Sequence, residues 1–138
     1  MGAELVDDRI VATSPSSGLI EVVPDAKSLD SIKKANATSL AVLFRRRYGG
    51  GRSRAFYRAR RNFVQSVAAY SVVAYLLQVK DRHNGNILLH ADGSLVHIDF
   101  GFLLSNSPGK NIGFESAPFK LTAEWVELMG GVIFNSFL

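Results

Sequence analysis

Residues 79–101 constrain this chain more than any other stretch. Ile87 to His90 and Leu95 to Asp99 are short apolar runs separated by Ala91-Asp92-Gly93-Ser94. Two such runs around an Asp-Gly turn predict a β-hairpin. Asp81-Arg82-His83-Asn84-Gly85-Asn86 stands ahead of it, and Asp99-Phe100-Gly101 closes it. The hairpin thus begins on an amide, Asn86, and finishes on a carboxylate, Asp99. Both offer hard oxygens of the kind that hold Mg²⁺. Upstream, Phe56, Phe63, Val67, Tyr70, Ala74 and Leu77 fall at helical spacing and predict a long helix from about Ala55 to Gln78. From Phe63 onward it is apolar on most sides, so burial among other helices is expected. Its apolar part falls short of the roughly 20 residues of a membrane span, and Gln65, Ser66, Ser71 and Gln78 interrupt it.

The rest of the chain reads as shorter elements. Ile10 to Thr13 suits a strand, Ser14-Pro15-Ser16-Ser17-Gly18 a turn, and Leu19 to Val23 an extended run ended by Pro24. Ser28 is placed to cap a helix reaching Lys34. Thr38 is placed to cap another to Tyr48, with Leu40, Leu43 and Phe44 on one face and Gly49 as its stop. Gly49-Gly50-Gly51 lacks the Gly-Lys-Ser/Thr ending of a phosphate loop and reads as a connection. Gly101 to Leu121 is loop-like, and Thr122 caps a short helix ended by Gly130-Gly131. The expected class is α+β, mostly helical, with a small antiparallel hairpin.

A chain of 138 residues is one domain or part of one. With 47% hydrophobic and 20% charged residues it has the composition of a soluble globular protein. No cysteine is present, which excludes a disulfide framework and a thiolate metal site and fits the cytosol. Met1 to Ile10 carries Glu4, Asp7 and Asp8 and no apolar run, so no signal peptide is read there. Of the 16 basic residues, eight lie between Arg45 and Arg61 with no acid among them. This segment suits either contact with an anionic surface or a solvated loop between helix ends.

Protein kinases use His-Arg-Asp, four residues, then Asn, and later Asp-Phe-Gly. Here the first three letters are rearranged, but Asp81 to Asn86 keeps the Asp-to-Asn interval. Val79 to Leu89, His97-Ile98-Asp99-Phe100-Gly101-Phe102 and Phe114 to Thr122 resemble the phosphoinositide 3- and 4-kinase superfamily, and within it phosphatidylinositol 4-kinases of the type III beta kind. Gly18-Leu19-Ile20-Glu21 is similar to that family's hinge, and the likeness runs from about Val11 to Gly131. It implies a kinase-like C-lobe fragment over residues 1–138. The hinge lies at about 18–25, helices at 26–78, the catalytic loop and metal-binding hairpin at 79–101, the activation loop at 102–121, and truncated C-terminal helices at 122–138. The phosphate-covering loop and strand lysine of the N-lobe do not appear before the presumed hinge. The 138-residue chain alone is therefore expected to bind ATP poorly and turn over slowly or not at all.

The resemblance assigns roles to residues. Asp81 and His83 are the candidates for orienting or deprotonating the attacking inositol hydroxyl, and the sequence leaves the choice between them open. Asn86 and Asp99 are the candidate Mg²⁺ ligands. Ile20, Glu21, Val22 and Val23 at the hinge, with Leu88 and Ile98, are expected around the adenine of ATP. Lys110 and Lys120 are the cations expected to face substrate. So few cations agree with an unphosphorylated phosphatidylinositol headgroup. Arg82 reads as one half of a structural ion pair, and Asn84 as a maker of local backbone hydrogen bonds. His90 and His97 read as surface or hydrogen-bonded strand residues.

The implied activity is transfer of the ATP γ-phosphate to the inositol 4-hydroxyl of phosphatidylinositol. The setting is cytoplasmic and peripheral at internal, Golgi-type membranes, with membrane contact through Arg45–Arg61, no nucleic acid and no transmembrane segment. Two other readings stay open. One is a noncatalytic module whose basic segment binds membrane or RNA. The other is a protein kinase of the related class that shares the inverted motif.

Overall fold

The computed structural model describes residues 9–104 and 117–131. Lys110, the middle of the expected activation loop and the apolar tail from Val132 lie outside the described residues. The elements in chain order are β1 (Ile10–Ser14), β2 (Ser17–Ile20), β3 (Ala26–Ser28), α1 (Leu29–Ala35), α2 (Leu40–Tyr48), α3 (Arg54–Leu77), β4 (Ile87–His90), β5 (Leu95–His97) and α4 (Ala123–Met129). The structure is a small mixed α and β assembly. β1 and β2 form an exposed two-stranded hairpin, and β3-β4-β5 form a three-stranded antiparallel sheet.

The helical region expected from residue 26 begins at Leu29 instead. Asp25 takes a left-handed backbone after Pro24, at φ 52°. The three residues that follow pair with β4, with Ala26 opposite His90 and Ser28 opposite Leu88. Ser28 then caps α1, its hydroxyl accepting the Ser31 N–H. Helix α2 is capped by Ser39 and not by Thr38. Extended backbone at Ser39 puts its hydroxyl under the Val42 N–H, and the buried Thr38 hydroxyl has no partner among the described residues. Glu124, from the first turn of α4, accepts the N–H of Leu40 at 2.6 Å and pairs with Lys33 at 2.7 Å, joining three helices.

Helix α3 is the axis of the molecule. Ser53 caps it by accepting from Phe56 and donates to the last-turn carbonyl of Tyr48, so one side chain links the end of α2 to the start of α3. Phe63 packs edge-on against Phe44 at 5.6 Å and against Trp125 at 6.0 Å. These rings, with Leu29, Leu40, Ile87, Leu89 and Leu95, make the core. Burying a side chain of this size contributes about 2–3 kcal/mol.

The hairpin lies along α3. At its turn, Gly93 sits with φ 97°, where a Cβ would come within 2.5 Å of the Ala59 carbonyl. Asn62 donates to the Asp92 carbonyl and the Tyr48 hydroxyl to that of Ala91. Register pairs Ile87 with His97 and Leu89 with Leu95 on the α3 face, and leaves Leu88 and Val96 on the other. The second strand stops at His97, two residues short of the expected Asp99, because Asp99 is left-handed at φ 58°. The hairpin turn thus lies against the first half of α3, and its open end, with Asn86 and Asp99, points to the end where α3 finishes.

Candidate active site

Helix α3 ends in a left-handed Gln78, and the chain turns into 79–86 without regular structure. Arg82 organises this segment. It is buried, and its guanidinium donates to the carbonyls of Lys80, Ile98 and Asp99 while lying over the Phe100 ring at 5.4 Å. Beside the expected ion-pair role, these contacts form a bracket of carbonyls. Five N–H donors in a rigid fork suit that task. It ties the loop before the hairpin to the segment after it.

Asp81 is left-handed at φ 62°. Its backbone carbonyl accepts from the Asn86 amide nitrogen at 3.0 Å, with the carboxylate at 3.5 Å from the same nitrogen. Asn86 is itself buried, and its main chain bonds to His83 and Ile98. The amide nitrogen is therefore held inward, and the amide oxygen remains to accept a donor or a cation. Asp99 is exposed, and its carboxylate accepts the Gly101 N–H at 3.3 Å. The Ile98 N–H bonds the Asn86 carbonyl, which brings the residue before Asp99 against Asn86. Among the described residues no group of three or more His, Asp or Glu side chains converges as a metal site. An amide and a carboxylate do fit an ion that takes only one or two protein ligands and draws the rest from water and phosphate.

The His83 Nε2 lies 3.8 Å from the Asp81 carboxylate, and its Nδ1 accepts the Gly85 N–H at 3.0 Å. The contacts of Asn84 reach to distant residues and not to the local backbone expected. Its carbonyl accepts from Asp30 at the start of α1, and its side-chain oxygen accepts from Lys120. Lys120 also donates to the Arg82 carbonyl, both contacts being 2.9 Å. The structure thus sets this cation against the loop at 82–84. His97 is buried and stacks on Tyr70 of α3 at 4.3 Å, nearly parallel. Burial, with the Arg82 and Lys120 charges nearby, pushes its pKa down to about 4. Of the two expected roles, the surface one is excluded: His97 is a buried residue of β5, opposite Ile87, with its ring between sheet and helix. His90, by contrast, is half-buried and pairs with Asp92 at 2.8 Å. Nothing in the spacing of the sequence marks the Lys120 contacts or the Gly85–His83 contact, since each depends on how loops fold back.

The hinge residues are less closely held. Ile20 and Val22 leave 67% and 83% of their surface exposed, Glu21 faces Arg9, and only Val23 is buried. Three residues beyond Val23 the chain enters β3, whose Ser28 pairs with Leu88. The segment expected as the hinge is therefore tethered beside the strand that carries Leu88, with Ile98 further along the neighbouring segment. Of the eight basic residues between Arg45 and Arg61, Arg60 donates to the Met129 carbonyl at the end of α4. The other seven are exposed around the α2–α3 junction. They lie at the opposite end of α3 from Asp81.

The family description "Phosphatidylinositol 3- and 4-kinase" matches residues 5–136, and the chain belongs to that family. Similar proteins narrow the neighbourhood. "Phosphatidylinositol 4-kinase" of Dictyostelium discoideum is 54% identical over 130 residues, covering 93% of this chain and 11% of that protein. "Phosphatidylinositol 4-kinase beta" of Xenopus laevis is 56% identical over 124 residues, covering 90% of this chain and 15% of that protein. The protein of the same name from Sorex araneus is 54% identical over the same length. The chain thus spans between 11% and 15% of the length of these relatives.

Proposed function

We propose that this chain forms the metal- and hydroxyl-handling part of a lipid kinase that transfers the ATP γ-phosphate to the 4-hydroxyl of phosphatidylinositol. The observation that carries the reading is the Arg82 bracket. It ties the loop that carries Asp81, His83 and Asn86 to the segment that carries Asp99. Asp99 and the Asn86 oxygen would hold Mg²⁺, which neutralises charge developing on the transferred phosphoryl group. Asp81 and His83 would handle the attacking hydroxyl. Leu88, Ile98 and the hinge from Ile20 to Val23 would border the adenine.

The proposed setting is cytoplasmic, at the surface of internal, Golgi-type membranes. No described helix is long and apolar enough to cross a membrane. The exposed arginines at the α2–α3 junction favour peripheral contact with anionic lipid, which is worth about 1 kcal/mol per basic residue near such a surface. The test supplies radiolabelled ATP, Mg²⁺ and phosphatidylinositol vesicles to the protein and to Asp99→Asn. Phosphatidylinositol 4-phosphate formed by the first and lost in the second is expected. Salt-sensitive vesicle binding that survives Asp99→Asn, with no transfer by either, would instead establish a noncatalytic membrane module. Preferential labelling of a peptide would establish a protein kinase.

A further inference from the structure

We infer that the arginine surface at the junction of α2 and α3 is a second lipid site, one that takes inositol headgroups bearing a phosphomonoester. The choice of cation is the first observation. All eight basic residues between Arg45 and Arg61 are arginines, and the six lysines of the chain lie elsewhere. Either cation answers a diffuse anionic surface. The guanidinium adds paired N–H donors in a planar fork that matches two oxygens of one phosphate. A phosphomonoester brings about 1.5 to 2 negative charges at pH 7 and three acceptor oxygens, so it gains most from that fork.

The second observation is how the arginines are held. Arg45, Arg46 and Arg47 occupy the last turn of α2. Arg54, Arg58 and Arg61 stand at i, i+4 and i+7 on one face of α3. The Ser53 hydroxyl donates to the Tyr48 carbonyl at 2.6 Å and its N–H to that of Gly50 at 2.8 Å, so a short turn fastens the two helix ends together. The Arg47 guanidinium lies over the Tyr48 ring at 5.7 Å, and the Tyr48 hydroxyl is tied to the Ala91 carbonyl. All six arginines are exposed, and among the described residues none pairs with a carboxylate. Asp92, in the neighbouring hairpin turn, is taken by His90 at 2.8 Å. The first turn of α3 holds no acid and begins on Arg54. Cations there repel one another and oppose the positive end of the helix dipole, a cost that a bound anion removes.

The third observation selects a bilayer as the source. Tyr57 sits on α3 among Arg54, Arg58 and Arg61 and leaves 55% of its surface exposed. A ring with a polar tip belongs at the level of lipid headgroups. The inference rests on the lipid-kinase reading above for its choice of ligand. The proposed transfer places a phosphomonoester on an inositol ring, so this surface holds the protein where that product accumulates.

Sedimentation with vesicles, in the absence of ATP, tests the site. Phosphatidylcholine vesicles carry either phosphatidylinositol 4-phosphate or phosphatidylserine at equal total lipid charge. The protein is expected to bind the first about tenfold tighter or more. A variant with Arg46→Lys, Arg54→Lys, Arg58→Lys and Arg61→Lys keeps its charge. It should bind phosphatidylserine vesicles as before and lose the preference. Asp99→Asn should keep the preference, which separates this surface from the Asp99 end of the molecule. Equal binding of both vesicles by the unsubstituted protein, or a preference that survives the four lysines, overturns the site. Soluble inositol 1,4-bisphosphate bound as tightly as the vesicles would remove the bilayer from the account. A phosphoserine peptide or an RNA oligonucleotide that displaces the vesicles better than that headgroup would overturn the lipid assignment. Transfer to phosphatidylinositol is measured separately. Its absence with the preference intact overturns the kinase reading alone, and transfer without the preference overturns this site alone.

Discussion

Asp81 and Asp99 both hold left-handed backbone, at φ 62° and 58°. Such positions cost of order 1–3 kcal/mol each, persist where the surroundings enforce them, and cluster at sites that act on ligands. Here the enforcing group is the Arg82 guanidinium. Because the Asp99 carboxylate is exposed and not packed, Asp99→Asn should abolish transfer while the melting temperature moves by less than about 2 °C, within the small effect of surface changes. A variant that melted much earlier would mark Asp99 as structural. Gly93→Ala should behave the other way. Its left-handed φ and the Ala59 backbone at 2.5 Å predict a loss of about 2–4 kcal/mol in a denaturant titration. At this scale the sequence marked candidates for the chemistry, through the interval from Asp81 to Asn86 and the closing Asp99. It did not show that Arg82 would bond to carbonyls or that Lys120 would bind the loop at 82–84. Those contacts join residues far apart in the chain, and no periodicity records them.

Element identity was largely written in the sequence, because α3 repeats its apolar positions over six turns and the hairpin has its turn residues in place. The long helix expected from Ala55 to Gln78 runs from Arg54 to Leu77. What escaped was β3, three residues whose pairing with β4 comes from a partner some 60 positions away and not from local pattern. The choice of Ser39 over Thr38 as a cap turned on one ψ angle, which composition does not specify. The join between α3 and the sheet also has a checkable weak point. Ser66 on α3 donates to the Phe63 carbonyl and accepts the buried Leu95 N–H at 2.8 Å. Ser66→Ala leaves that N–H unpaired and should cost about 1–3 kcal/mol by chemical unfolding. A neutral result would mean that the strand finds another acceptor.

Across the whole molecule, acid acts through His97. Its folded pKa, pushed down to about 4, lies below its ordinary value of 6.5, so the unfolded chain binds the proton more readily in between. The stabilising contribution is complete above about pH 6.5 and drains away as pH falls toward 4. Melting temperatures across that window should fall for the unsubstituted protein. They should fall less for His97→Phe, which keeps a ring on Tyr70 and cannot titrate; equal slopes would place the acid sensitivity elsewhere. The basic segment and the loop at Asp81 lie toward opposite ends of α3, whose 24 residues span about 36 Å at 1.5 Å per residue. Arg82 has a last consequence, in how the site opens. One guanidinium holds the carbonyls of Lys80, Ile98 and Asp99, and backbone bonds from Ile98 to Asn86 and from Lys80 to Phe102 lie beside it, so the segments on both sides of the hairpin are fastened together. Local openings release such segments as a unit. Amide hydrogens from Lys80 to Asn86 and at Ile98 should then exchange with solvent at one common rate. The molecule would alternate between a complete pair of acids and none, with no population of half-assembled sites to bind nucleotide unproductively.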